Sequence, residues 1–142
     1  MDPLSTTHPA PAKALTILLI EDSDTVRSFL HRALQAALPN ATIVEAVEGR
    51  QALRELTRCR ADLIISDLQM PGMDGRAFLA TLRQNPILRH KRVLVLSSDN
   101  SHDLHDRYAS DSHLAFLPKP SSAAEILRAA QDLLADLPVS AA

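Results

Sequence analysis

The sequence predicts an α/β domain built on one five-stranded parallel sheet with helices on both faces. Short apolar runs that contain β-branched residues recur along the chain, and each one ends at polar residues. A segment with helical periodicity follows each run, and this alternation at this spacing is typical of a doubly wound parallel sheet. The length of 142 residues fits one compact domain better than two.

The predicted strands are short and mostly apolar. The run at residues 15–20, LTILLI, is apolar at nearly every position, as expected for a strand buried on both faces. The run LIIS at 63–66 leads directly into Asp67, so this strand ends on an acid. The other predicted strands cover residues 41–46, 92–98 and 114–118.

The first predicted helix begins at Ser23 and Asp24, where we interpret Asp24 as an N-cap, and ends before Pro39. Its apolar residues recur at helical spacing: Val26, Phe29, Leu30, Ala33, Leu34 and Ala37. Further helices are predicted over residues 49–59, 75–84 and 123–137. The segment 101–111 is polar, and its apolar stripe is too thin for more than a weak helix prediction.

Composition excludes several classes of function. A net charge of −2 and the absence of tryptophan leave neither a basic surface nor a stacking platform for nucleic acid. No apolar run approaches the roughly 20 residues of a membrane span, and no secretory signal is visible, so we expect a cytoplasmic protein. Residues 1–13 are expected to form a flexible N-terminal tail, 14–137 the folded domain and 138–142 a C-terminal tail.

Polar residues collect at the carboxyl ends of the predicted strands, where such sheets bind ligands. They are Glu21, Asp22, Asp67, Ser97 and Lys119. Two carboxylates about 4 Å apart repel each other by roughly 4 kcal/mol at an effective dielectric near 20, so three of them require a cation. Hard oxygen ligands suit Mg²⁺, and a divalent ion beside a fixed ammonium suits phosphoryl transfer. Asp67 is then the candidate nucleophile, forming an acyl phosphate.

These residues, with Asp67 in SDLQMPGMDG and Lys119 in FLPKP, resemble the receiver domain of two-component response regulators. In extent the chain is most similar to the single-domain chemotaxis type, over about residues 14–137. The resemblance implies a flavodoxin-like (βα)5 fold. It also implies that Asp67 accepts a phosphoryl group from a sensor histidine kinase or a histidine phosphotransfer protein. A Mg²⁺ ion would be held by Glu21, Asp22, Asp67 and the backbone carbonyl of Gln69.

The resemblance also implies roles for the other residues of the site. Lys119 would pair with the phosphoryl group, and the Ser97 hydroxyl would donate to it. Ser97 and Phe116 would act as the switch, altering the face of residues 99–137 that a downstream protein target binds. Gln69 and Asp99 would tune the lifetime of the phosphoryl group. Such a domain catalyses only its own phosphorylation and dephosphorylation, so we do not expect an enzyme acting on a separate substrate.

Two alternatives remain open at this point. One is a degenerate receiver that serves only as a docking module. The other is a haloacid-dehalogenase-type phosphatase, because LLIEDSDTV at 18–26 offers Asp22 as nucleophile and Asp24 as acid/base. That family also needs an acidic pair after its lysine, whereas the acids that follow Lys119 lie on a predicted helix. We expect His102 and His105 to lie on a solvated helix face rather than to bind metal.

Overall fold

The computed structural model describes residues 14–69, 72–97, 102–119 and 121–135, with each strand of its single sheet followed by a helix. The strands are β1 Thr16–Ile20, β2 Thr42–Ala46, β3 Leu63–Asp67, β4 Arg92–Ser97 and β5 Leu114–Pro118. The helices are α1 Asp24–Ala37, α2 Gly49–Leu56, α3 Gly75–Gln84, α4 His102–Arg107 and α5 Ala123–Leu133.

The sheet is parallel throughout, in the order β2-β1-β3-β4-β5. The strand order reverses between β1 and β3, because β2 lies outside β1 and the later strands follow on the other side of β3. Ligands of such sheets bind at this reversal, beyond the carboxyl ends of the strands. The predicted fold class is confirmed.

Both faces of the sheet are covered, as alternate residues of β1 demonstrate. Leu18 and Ile20 belong to the apolar cluster that includes residues of α2, α3 and α4. Ile17 and Leu19 belong to the cluster on the opposite face, with residues of α1 and α5. All four side chains are almost completely buried, so β1 is the two-sided core strand that its apolar sequence predicts.

Helix α1 differs from its predicted form in two ways: the residue that caps its N-terminus and the width of its buried face. Its N-cap is Ser23, whose hydroxyl accepts a hydrogen bond from the Val26 N–H. The interpretation of Asp24 as the N-cap is therefore wrong: Asp24 lies in the first turn and pairs with Arg27. The apolar stripe is also wider than the contact with the sheet, because Val26 and Phe29 are 39% and 51% exposed.

Three helices are shorter than their periodicity predicts. Helix α2 ends at Leu56 because Thr57, Arg58 and Cys59 fold into turns, with their N–H groups donating to Arg54 and Glu55 carbonyls. Helix α4 covers only six residues of the weakly predicted segment. Helix α5 ends at Leu133, and residues 136–137, like the two predicted tails, lie outside the described residues. In the described part of the chain, none of the helices has the length and apolar character of a membrane span.

The loop that follows β3 is closed by a close backbone approach. The Gly75 N–H donates to the Leu68 carbonyl at 2.8 Å. A Cβ atom placed on Gly75 would lie only 2.3 Å from that carbonyl oxygen, so any side chain would force the backbone apart. Gly72 in the same loop has φ +77°, a left-handed conformation that glycine adopts without strain. The two glycines thus allow the loop to return tightly to the end of β3.

We predict that Gly75→Ala lowers the free energy of unfolding by about 1–3 kcal/mol, the usual range for overpacking. Urea denaturation of the wild type and the variant measures the change. Gly49→Ala is the matched control, because the atoms nearest to a Cβ there belong to the Met73 side chain, at 3.2 Å or more, and not to the backbone. Equal effects of the two substitutions would contradict the assigned backbone contact.

Candidate functional site

Three carboxylates meet where β1 and β3 end. Glu21 and Asp22 directly follow β1, and Asp67 is the last residue of β3. Each offers a carboxylate oxygen within 4.8 Å of the others, and in the described residues this is the group of acids, cysteines or histidines that could hold a metal ion. Glu21 and Asp67 are buried, whereas Asp22 is exposed.

Sheet register brings these acids together. Ile20 of β1 lies beside Ser66 of β3, so the next residues, Glu21 and Asp67, continue from neighbouring positions. The Glu21 N–H extends the ladder by donating to the Ala46 carbonyl of β2 at 3.0 Å. The acids therefore occupy fixed backbone positions at the carboxyl ends of β1 and β3, at the point where the strand order reverses.

Lys119 faces the acids from the end of β5. Its Nζ lies 2.8 Å from Asp67 Oδ2 and 3.6 Å from Glu21 Oε1. Burial favours the neutral amine, but the hydrogen bond to Asp67 and the two negative charges outweigh burial and raise the pKa of Lys119. The ammonium is therefore fully charged at neutral pH and offsets part of the crowding of the acids.

Asp67 and Glu21 are satisfied to different extents. Asp67 accepts hydrogen bonds from Lys119 Nζ at Oδ2 and from the Gln69 N–H, 3.1 Å away, at Oδ1. Glu21 accepts one hydrogen bond at Oε2, from the Ser23 N–H at 3.0 Å. Its other oxygen, Oε1, is buried without a hydrogen-bond partner. Burial, with Asp67 adding to it, raises the pKa of Glu21 despite the opposing effects of Ser23 and Lys119.

This donor set fits a hard divalent cation. A buried carboxylate oxygen that lacks a donor and faces other carboxylate oxygens is the kind of ligand that Mg²⁺ binds. The exposed Asp22 leaves the cluster open to solvent on one side, as an ion that retains several waters requires. The residues present therefore fit the predicted magnesium site.

Ser97 and Phe116, the two predicted switch residues, lie on the neighbouring strands β4 and β5. Ser97 is the buried last residue of β4, and its carbonyl accepts a hydrogen bond from the Lys119 N–H at 2.6 Å. Phe116 lies on β5, half-buried, and its ring stacks on the imidazole of His105 with centroids 4.3 Å apart. His105 is exposed, as expected for a solvated helix face, but the stacking contact with Phe116 was not foreseen.

Three further residues were assigned roles from the sequence: Gln69, Asp99 and Asp24. Gln69, two residues beyond Asp67, is exposed, and its N–H donates to the Asp67 carboxylate. Asp99, predicted to tune the phosphoryl lifetime, lies outside the described residues. Asp24, the acid/base of the phosphatase alternative, is not a member of the acidic cluster and instead pairs with Arg27 at 2.6 Å.

One residue of the site was missed by sequence reasoning. Arg27 Nη1 donates to the main-chain carbonyl of Glu21 at 2.9 Å. The spacing of Asp24 and Arg27 indicates an ion pair along the helix, but no pattern in the sequence indicates a contact with a backbone carbonyl of the preceding loop. Only the folded geometry reveals it.

Comparisons with known proteins agree with this geometry. The family model of the response regulator receiver domain matches residues 17–131. The probable chemotaxis protein CheY of Rhizobium etli is 32% identical over 109 residues, which is 77% of this chain and 84% of that protein. The solved structure of the chemotaxis response regulator CheY4 of Vibrio cholerae matches with a TM-score of 0.75 and 27% identity, covering 86% of this chain and 100% of that one.

Larger proteins contain a similar segment. The sensory/regulatory protein RpfC of Xanthomonas campestris is 35% identical over 135 residues, which is 94% of this chain but 18% of that protein. This chain therefore spans a small part of the first relatives that it matches. Because the family model covers most of the chain, and the strand order and acidic cluster fit it, the chain belongs to the response regulator receiver domain family.

Proposed function

We propose that this domain accepts a phosphoryl group on Asp67 from a sensor histidine kinase or a histidine phosphotransfer protein, in the cytoplasm, with Mg²⁺ as cofactor. The observation that carries the proposal is the position of the Asp67 carboxylate at a strand end, 2.8 Å from a lysine ammonium and clustered with two further acids. This arrangement combines a nucleophile, a fixed positive charge and a set of metal ligands at one point.

The proposed metal ligands are carboxylate oxygens of Glu21, Asp22 and Asp67 and the main-chain carbonyl of Gln69. When bound, Mg²⁺ would neutralise charge that develops on the oxygens of the transferred group. The chain's own contribution is to hold the ligands in place before the ion arrives, which it does through the strand register and the bond from Ser23 to Glu21.

In the proposed reaction, an oxygen of Asp67 attacks the phosphorus of a phosphohistidine. The new P–O bond forms as the P–N bond breaks, and the electron pair of that bond remains with the departing imidazole. Lys119 transfers its hydrogen bond from Asp67 to an oxygen of the phosphoryl group, and the Ser97 hydroxyl donates to another. Gln69 and Asp99, which follow Asp67 and Ser97 by two positions each in the sequence, would limit the approach of hydrolytic water.

The proposed output is a change in the face of residues 99–137. Once Ser97 turns toward the phosphoryl group, space opens for Phe116 to move inward, which breaks its stack on His105. Helix α4 is also held to α3 by an ion pair between Asp103 and Arg76, at 2.5 Å. A downstream protein that binds this face would therefore meet a different surface after phosphorylation.

We predict that acetyl phosphate with Mg²⁺ adds one phosphoryl group to the wild type, measured by intact mass, and that Asp67→Asn abolishes the addition. Asp132→Asn, which changes an exposed acid on α5, is the control and should be labelled like the wild type. A wild type that is not phosphorylated would favour the docking-module alternative. Phosphorylation that depends on Asp22 rather than on Asp67, together with hydrolysis of a generic phosphomonoester, would favour the phosphatase alternative.

We predict that Glu21→Gln raises the free energy of unfolding in chelator at pH 7, by about 1–2 kcal/mol, because it removes a buried charge with one unsatisfied oxygen. The raised pKa of Glu21 also fixes the pH dependence. Because the other ionisable groups are common to both proteins, the wild type should lose stability relative to Glu21→Gln as pH rises above about 4.5 and through the folded-state pKa of Glu21.

Urea denaturation from pH 4 to pH 8 tests the Glu21 prediction, with Asp132→Asn as the control. Adding Mg²⁺ at ten times its dissociation constant should stabilise the wild type by about 1.4 kcal/mol through mass action, and Glu21→Gln by less. A variant that is less stable than the wild type in chelator at neutral pH would contradict the assigned strain at Glu21.

We predict that His105→Ala increases the fraction of unphosphorylated molecules with Phe116 turned inward by about 2- to 10-fold. An aromatic stack contributes about 0.5–1.5 kcal/mol, and this one favours the outward ring. Chemical shifts of residues 114–119, compared with those of the phosphorylated wild type, measure the fraction. His90→Ala, on an exposed residue before β4, is the matched control. Unchanged Phe116 shifts in His105→Ala would rule out the stack as a restraint.

A further inference from the structure

Arg27 joins three parts of the chain that surround the acidic cluster. Its Nη1 donates to the Glu21 carbonyl at 2.9 Å, its Nε to Glu45 Oε1 at 3.1 Å and its Nη2 to Asp24 Oδ1 at 2.6 Å. The side chain is only 15% exposed, which separates it from an ordinary surface arginine. These contacts link α1, β2 and the residue that follows β1.

The contact with Glu21 is made to the peptide that connects the two acids. The Glu21 carbonyl belongs to the Glu21–Asp22 peptide group, so holding that carbonyl restrains the planar unit that joins the two Cα atoms bearing these carboxylate side chains. The Glu21 N–H is held by the Ala46 carbonyl of β2 on the other side. Arg27 therefore restrains the main-chain carbonyl of Glu21, while β2 restrains its main-chain N–H.

The guanidinium of Arg27 is itself held in place. Glu45 lies between Arg27 and His31, with His31 Nδ1 2.6 Å from its second carboxylate oxygen. Burial alone would raise the pKa of Glu45, but the hydrogen bonds from His31 and Arg27 outweigh burial and lower it. Asp24 binds the third donor position. A planar group with fixed donor directions, anchored at two outer points, is suited to orienting a main-chain carbonyl.

We propose that Arg27 is a positioning residue of the magnesium site, acting through the Glu21–Asp22 peptide rather than by touching the ion. This inference rests on the proposed function, because it assumes that Glu21 and Asp22 bind Mg²⁺. Side chains that orient metal ligands typically change metal affinity by 10- to 100-fold when they are removed. For an anchor on the main chain of two ligands, we expect the lower end of that range.

The sign of the effect separates this role from simple electrostatics. Arg27→Gln removes a positive charge beside the Glu21–Asp22 peptide, and Coulomb's law alone then predicts that Mg²⁺ binding is unchanged or tighter. The positioning role predicts weaker binding, because the Glu21–Asp22 peptide loses its restraint. Arg32→Gln is the matched control: it removes the same charge from an exposed position on α1, outside the Arg27–Glu21 contact.

The test is a Mg²⁺ titration at constant ionic strength, following the backbone amide shifts of Glu21, Asp22 and Asp67, with urea denaturation of each variant alongside. Arg27→Gln should raise the Mg²⁺ dissociation constant about tenfold, whereas Arg32→Gln should leave it unchanged or lower it. Arg27→Lys, which keeps the charge but lacks the planar fork, should fall between the wild type and Arg27→Gln.

The outcomes distinguish the two levels of the proposal. If the wild type binds Mg²⁺ and is phosphorylated, but Arg27→Gln binds Mg²⁺ as tightly or more tightly, then the positioning role is wrong and Arg27 serves stability alone. If the wild type neither binds Mg²⁺ nor is phosphorylated, the proposed function fails and the role of Arg27 fails with it. If Arg27→Gln does not fold, the dissociation constant of Arg27→Lys decides the question, because this variant keeps the charge and any weaker binding then reports the lost restraint.

Discussion

The parallel pairing of β1 with β3 is the constraint on which the site depends. Because these strands run in the same direction and in register, the residues that follow Ile20 and Ser66 emerge side by side. Both residues are acids, and both are buried, so the fold places like charges together where water can solvate them least. Lys119 reduces this repulsion but leaves one oxygen of Glu21 without a donor. The protein alone does not satisfy the cluster, and this is the property that suits it to the proposed cation.

Much of the surrounding structure can be understood as support for that unfavourable arrangement. The Leu68 carbonyl, which binds the Gly75 N–H, draws the loop after Asp67 back onto the sheet. Arg27 holds the peptide between Glu21 and Asp22, and the Ser23 N–H holds the Glu21 carboxylate. Each contact is modest by itself. Separation of the acids would be the simplest way to relieve their repulsion, and together these contacts prevent it.

Sequence reasoning reached the sheet, its strands and the members of the acidic cluster, because these follow from local patterns and from where parallel strands end. Apolar runs identify buried strands, and polar residues directly after them must lie at one edge. Prediction from the sequence failed for features that depend on tertiary contacts. The exposure of Val26 and Phe29 depends on how much of α1 the sheet covers, which periodicity does not reveal. The N-cap of α1 is Ser23. The sequence does not decide between Ser23 and Asp24, because serine and aspartate have similar capping ability.

Contacts between distant segments were also beyond the sequence. His105 and Phe116 are on different elements, and no pattern pairs a histidine of a polar helix with an aromatic residue of a later strand. The bond from Arg27 to the Glu21 carbonyl involves a backbone acceptor, and every residue provides one. Sequence patterns carry information about side-chain types at regular spacings. They carry little about which of many carbonyls a single guanidinium selects.

The bond from the Lys119 N–H to the Ser97 carbonyl has a mechanical consequence. It locks the ends of β4 and β5 together, at the two positions whose side chains would both contact a phosphoryl group. Because neither main chain can shift separately without breaking this bond, the proposed response at Ser97 is expected to come mainly from rotation of its side chain about χ1. A side-chain rotation of this kind is fast and reversible, because it breaks no bond of the sheet ladder.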